Sequence, residues 1–281
     1  MQAKLLTGIT LVLWQFFVCI DLSADSLKPK TEFITLPPPG SLDSNGRSSA
    51  YFEKILTLAL SKTQENAAPY KFHYFEQPLE KERLRMMLMK NQGIDIIWST
   101  SNKKREQSML AIKINLLKGI NDYRILLIRA EDQEKFDQVK SIEELRQYKA
   151  GSGLHWSDTD TFRKNNFRCF VTSDYENMFS ALRRKRFDFM SRGIQEIDFE
   201  IQESSHLHLA AEKNILLHYS QPVYFFVNKA NTKLAKRIEK GLQIAQQDGS
   251  FDQAFFEIPE FKAAYEFIHN HDRLVFDLVT D

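Results

Sequence analysis

Two stretches of this chain share one pattern. Residues 87–100 read MLMKNQGIDIIWST and residues 181–192 read ALRRKRFDFMSR. Each is the end of an amphipathic helix, then a polar or basic turn, then an apolar-Asp-apolar-apolar start of a short buried strand. Asp95 is the acid in one copy and Asp188 in the other. A helix–turn–strand unit recurring in two halves predicts two α/β lobes of similar build. Two lobes imply a cleft between them, and clefts at domain interfaces are where small ligands bind.

At 281 residues the chain holds either one large domain or two lobes. Its formal net charge of +1 gives no bulk attraction for nucleic acid or an anionic membrane. Residues 1–24 stand apart. Lys4 opens a mostly apolar run from Leu5 to Ile20, and Leu22-Ser23-Ala24 forms a cleavage site before Asp25. This reads as a secretory signal peptide, too short and poorly flanked for a membrane span. The residues before Cys19 are Phe16-Phe17-Val18, which lack the small residue of a lipidation site. No later stretch is long and apolar enough to span a bilayer, so the mature protein is expected to be exported, periplasmic and soluble. Loss of the signal leaves Cys169 as the single cysteine, expected to be a buried, inert thiol.

The mature chain reads β-α-β-α-β from Glu32 to Trp98, which is the order of a parallel sheet with helices on its faces. Pro37-Pro38-Pro39-Gly40 stops the first strand, and Ser48 or Ser49 is expected to cap the first helix. After an apolar run at 123–129 the β-α-β order restarts. Capping boxes are expected at Ser141–Glu144 and Ser173–Glu176. Residues 222–228 form a further strand, followed by a long amphipathic helix with Leu234, Ala235, Ile238, Leu242 and Ala245 on one face. Asp248-Gly249 ends that helix. The expected divisions are 25–122 for the first part of lobe one, 123–221 for lobe two and 222–281 for a return to lobe one.

Enzyme and metal signatures are largely missing. The sequence has no P-loop, no nucleophile elbow and no zinc-binding cysteine pair. Trp156 stands where a dinucleotide fingerprint needs its third glycine, which rules that reading out. His206 and His208, expected on one strand face, lack a third metal ligand and read as surface histidines. The basic run Arg183–Arg186 ends a helix, where cations complement the dipole. No cofactor and no metal are expected.

Residues 151–159, GSGLHWSDT, say more. A glycine turn delivers a helix N-terminus whose free N–H groups bind an anion such as a carboxylate. Asp158 and Thr159 lie in its first turn, and Trp156 offers a flat apolar wall beside it. In the first lobe Trp98 and the polar residues 99–102 follow the equivalent strand. Arg105, just beyond, can grip a carboxylate through two parallel hydrogen bonds. In open parallel sheets, positions past the carboxyl ends of the strands line the ligand crevice.

With these residues the chain resembles the amino-acid-binding periplasmic solute-binding proteins, family 3 of that group, as a divergent branch. The likeness rests on Pro37-Pro38-Pro39, on Gly93–Ile97 followed by Lys104-Arg105-Glu106, and on Gly151-Ser152-Gly153. Arg186-Phe187-Asp188 and Asp248–Phe251 complete it. The resemblance implies an α/β type II fold: two lobes, each a mixed, mostly parallel sheet flanked by helices, joined by hinge strands and closing on a ligand. It implies that Arg105 holds the ligand's carboxylate and that the 151–159 turn adds donors. The family's ammonium-binding aspartate falls about where Arg192 and Gly193 stand, and an arginine does not bind an ammonium group. Arg192 is therefore expected to hold negative charge, with Trp98 and Trp156 packing on the apolar part of the ligand. The expected partners are a small carboxylate-bearing molecule and a membrane permease or membrane receptor. A monomer, without nucleic acid and without enzyme activity, is expected. The rival readings are a sensory or scaffold partner of a membrane receptor, and a dehydratase-like enzyme with Asp158 or Glu196 as general acid.

Overall fold

In the computed structural model the described residues are 31–280 apart from 40, 43–46 and 78. The expected signal peptide lies outside them. The chain runs β1 (Glu32–Leu36), α1 (Arg47–Ser61), β2 (Tyr70–Tyr74), α2 (Lys81–Met89), β3 (Ile96–Thr100), α3 (Lys103–Ser108) and β4 (Leu110–Ile112). It continues through β5 (Tyr123–Arg129), α4 (Gln133–Asp137), α5 (Ile142–Leu145), β6 (Ala150–Gly153), α6 (Ser157–Lys164), β7 (Cys169–Thr172), α7 (Glu176–Arg183) and β8 (Phe189–Gly193). Then follow α8 (Ile194–Glu203), β9 (Leu209–Ala211), β10 (Ile215–His218), β11 (Val223–Val227), α9 (Thr232–Gln247), α10 (Ser250–Phe256), α11 (Pro259–His269) and β12 (Leu274–Asp277).

In the first lobe β1 pairs with β2 in parallel, and β11 lies antiparallel between β3 and β4. Asp95 joins the two groups. Its backbone N–H donates to the Thr35 carbonyl at 3.0 Å, and its carboxylate accepts from the Thr35 N–H at 2.7 Å. Asp188 repeats this arrangement in the second lobe. Its N–H donates to the Lys149 carbonyl at 2.8 Å, and its carboxylate accepts from the Lys149 N–H at 2.8 Å. The acid inside each apolar run thus supplies an acceptor just ahead of the regular ladder, where a buried N–H would otherwise lack one.

The second lobe carries the strand order β12-β10-β5-β8-β6-β7, with β9 also pairing to β5. Strands β7, β6 and β8 are parallel, and β5 is antiparallel to β8. Separate apolar cores lie on its two faces, one around Phe162 and Phe189 and the other around Met178 and Met190. The first lobe's main core is built by α1, α9 and the β3-β11-β4 strands. The predicted face of α9 is buried as its spacing requires. Gly241 lets α9 meet α1 directly, since a Cβ there would lie 1.8 Å from the Ala59 carbonyl oxygen.

Several local expectations change. Helix α1 begins already at Arg47, ahead of the serines expected to cap it. The Ser141–Glu144 box forms with both bonds. At 173–176 Asp174 takes over, accepting from the Asn177 N–H at 3.1 Å. His206 lies in a single 3-10 turn and His208 has a left-handed backbone (φ 51°), so the two do not share a strand face. Cys169 is half-buried, and burial pushes its thiol up from the ordinary range. The last strand also corrects the expected return of 222–281 to lobe one. β12 pairs in parallel with β10 of the second lobe, and Phe276 enters that lobe's core. The open edge of β10 and an apolar side chain outweigh continuity with α11. Ser141→Ala is expected to lower stability by about 1 kcal/mol, with Ser141→Thr close to the parent, read from the urea midpoint.

Candidate functional site

Asn102 caps α3 by accepting from the Arg105 N–H at 2.9 Å, which fixes Arg105 in the helix's first turn. The Arg105 guanidinium donates to the Thr100 carbonyl at 2.6 Å in its own lobe. It also donates to the His155 carbonyl at 3.2 Å in the second lobe. Among the described residues it forms no ion pair. Burial, and next the nearby Arg85 cation, bring its pKa down to about 10 against the opposing pull of Glu82, Asp158 and Asp160. A guanidinium with carbonyl partners only, facing a second cation, is a strong receptor for a carboxylate.

The sequence reading missed Arg85. It projects from α2 between the buried Leu84 and Leu88, with its side chain 11% exposed, paired to Glu82 and with a buried, unpartnered Nε. Its position beside the inward row of α2 was the available signal.

Across the cleft, α6 starts at Ser157, so its first-turn N–H groups lie next to the His155 carbonyl that Arg105 reaches. The Thr159 hydroxyl bridges Ser152 Oγ at 2.7 Å and the Gly153 carbonyl at 2.6 Å, which holds the turn closed. Gly153 is required here. A Cβ would lie 2.5 Å from the Trp156 indole, which folds back over the turn. Lys104 reaches Asp160 across the lobes at 3.0 Å. Ser157 Oγ donates to Gln221 Oε1 at 2.7 Å on the segment between β10 and β11. Lys104, Asp160, Ser157 and Gln221 line a cavity of about 130 Å³.

Three expected site residues turn inward. Trp98 is 5% exposed and stacks on Phe52 at 5.5 Å inside the first-lobe core. Strand alternation sends Ile96 and Trp98 to that core and Ile97 to the opposite face. Asp158 accepts from the Tyr219 hydroxyl at 2.6 Å and lies 3.4 Å from Arg124, with all three buried. Arg192 is held by Glu200 through two bonds, one of them 2.7 Å, and by Glu196 at 3.1 Å. Its guanidinium lies over Trp156 at 5.0 Å and Tyr175 at 5.8 Å. Arg192 therefore braces the second-lobe wall, and its charge is met within the protein. Of the expected set, Arg105 and the Trp156 turn meet at the cleft, while Trp98 does not. No cluster of metal-ligating side chains occurs among the described residues.

No protein-family model matches the sequence, and no curated protein matches it. Solved structures do. The probable amino-acid ABC transporter extracellular-binding protein ytmK of Bacillus subtilis superposes with a TM-score of 0.58 at 20% identity, over 81% of this chain and 97% of that one. An ancestral arginine-binding protein bound to glutamine gives 0.58 at 15% identity, over 80% and 96%. A histidine kinase sensor domain with similarity to periplasmic binding proteins gives 0.55 at 14% identity, over 81% and 95%. The chain has the two-lobed periplasmic-binding-protein fold. Arg105, which follows β3, meets the His155 carbonyl, which follows β6, between the two lobes. At these identities the likeness is one of fold. No helix among the described residues is long and apolar enough to cross a membrane.

Proposed function

We propose that the protein, exported after loss of residues 1–24, captures a small carboxylate-bearing molecule between its lobes by hinge closure. A membrane permease or receptor then reads the closed state. The observation that carries this reading is Arg105, a half-buried guanidinium that touches both lobes and has no carboxylate partner among the described residues. A ligand carboxylate meeting it replaces weak carbonyl contacts with charge-assisted ones, and the gain is made only when the lobes are together. Arg85 strengthens the preference for negative charge on the first-lobe wall. Asp158 does not serve as a general acid in this reading, because Arg124 and Tyr219 hold it inside the second lobe.

The test is thermal unfolding against a panel of amino acids, dicarboxylates, hydroxy acids and small peptides. A ligand at one hundred times its dissociation constant is expected to add about 2.7 kcal/mol. No shift from any compound, together with co-purification of a membrane protein, would replace solute capture with a scaffold role. Conversion of a hydroxylated cyclic acid would replace it with an enzyme.

A further inference from the structure

A large cavity lies away from the cleft. It is a groove of about 1080 Å³ between α8, which packs on the second-lobe sheet, and α11, which packs on the first-lobe core. Ile197, Ile201, Leu209, Phe261, Ala264 and Phe267 give it apolar walls. That volume is slightly above the range for small-molecule pockets, about 300–1,000 Å³.

The groove also reaches a cation. Arg273 lines it with its side chain 15% exposed and its guanidinium 5.4 Å over the Phe267 ring. Its hydrogen bonds go to the backbone carbonyls of Glu212 and Ile215. The nearest carboxylate oxygen, on Glu212, is 3.8 Å away, and that carboxylate already accepts from Gln133, the Asn214 N–H and the Ile215 N–H. Of the acids on the rim, Glu196 is held by Arg192, while Asp198 and Glu260 are exposed to solvent. Burial lowers the Arg273 pKa against the opposing pull of Glu212.

We infer that this groove is a second ligand site, which takes a monomeric single-chain amphiphile with its hydrocarbon body between α8 and α11 and its anionic head on Arg273. The inference is independent of what the cleft binds. Because the walls belong to different lobes, an occupant favours one lobe separation over another and biases closure.

Decanoate, below its micellar concentration, is the probe for isothermal titration with the whole protein. The expected result is saturable one-to-one binding, with 1-decanol and decyltrimethylammonium at least about tenfold weaker. Arg273→Gln is expected to weaken decanoate about tenfold and leave decanol unchanged, with Arg273→Lys retaining most of the affinity. Ala263→Trp, at an exposed position on the groove, is expected to abolish binding of all three without moving the unfolding midpoint. Absence of saturable decanoate binding would overturn the site. So would decanoate binding that persists in Ala263→Trp. Equal affinity for decanol would overturn the anionic head. Pelleting with phosphatidylglycerol vesicles but no binding of free decanoate would assign the face to a membrane and overturn the monomeric ligand.

Discussion

Arg105→Ala is expected to lower affinity for the captured carboxylate by about 2–5 kcal/mol, roughly 30- to 5,000-fold. The size follows from where the guanidinium sits. It is desolvated enough to bring its pKa down to about 10, and its partners are the Thr100 and His155 carbonyls. A charged hydrogen bond made in such surroundings is worth far more than one at an open surface. Arg105→Lys keeps the charge and loses the planar fork, so it is expected to recover part of the affinity. Arg85→Gln is expected to cost less, about tenfold, because Glu82 already offsets part of the Arg85 charge. Titration of each variant with the compound that shifts the unfolding midpoint measures all three. A change below about threefold for Arg105→Ala would remove Arg105 from the ligand site. The effect is expected mainly in the dissociation rate, since a cleft contact acts after encounter.

Asp158→Ala is expected to lower stability by about 3–5 kcal/mol, the cost of stranding a buried cation. Arg124 is fully enclosed and would keep one side-chain acceptor, Asn121 Oδ1 at 3.0 Å. Tyr219, whose hydroxyl also contacts Ser191 Oγ at 2.8 Å, would lose its bond to the acid. Asp158→Asn keeps an acceptor for Tyr219 and lacks the charge that faces Arg124. It is expected to fall between Asp158→Ala and the parent. The consequence reaches the hinge. Arg124 stands near the start of β5, and Tyr219 directly follows β10. Asn121 Nδ2 donates to the Gln221 carbonyl at 2.8 Å and joins the segment before β5 to the segment between β10 and β11. The readout is urea unfolding together with ligand affinity. Equal stability of Asp158→Ala and the parent would show that the buried pair contributes nothing net.

The architecture was legible because it is written in local patterns. The recurrent helix–turn–Asp strand start, the period of α9 and the 151–153 glycine turn each depend on residues within a few positions of one another. The Asp95 and Asp188 repeats even fall on the same seam hydrogen bond in the two lobes. The placement of Arg105 in the first turn of α3 is local too, since its cap, Asn102, is three residues away. The roles of the other site residues depend on partners far along the chain. Asp158 meets Tyr219 across 61 positions, and the Arg85 charge acts on Arg105 from another element. A strand buried on both faces has no polar alternation, so the sequence did not say which face Trp98 takes. Arg192 looked like a ligand group until α8 brought Glu196 and Glu200 against it. The sequence by itself determined the two lobes, their strand starts and the cleft arginine, because hydrophobic period and turn chemistry act locally. Only the tertiary structure decided which charges are met inside the protein, because charge compensation is a property of distance in space.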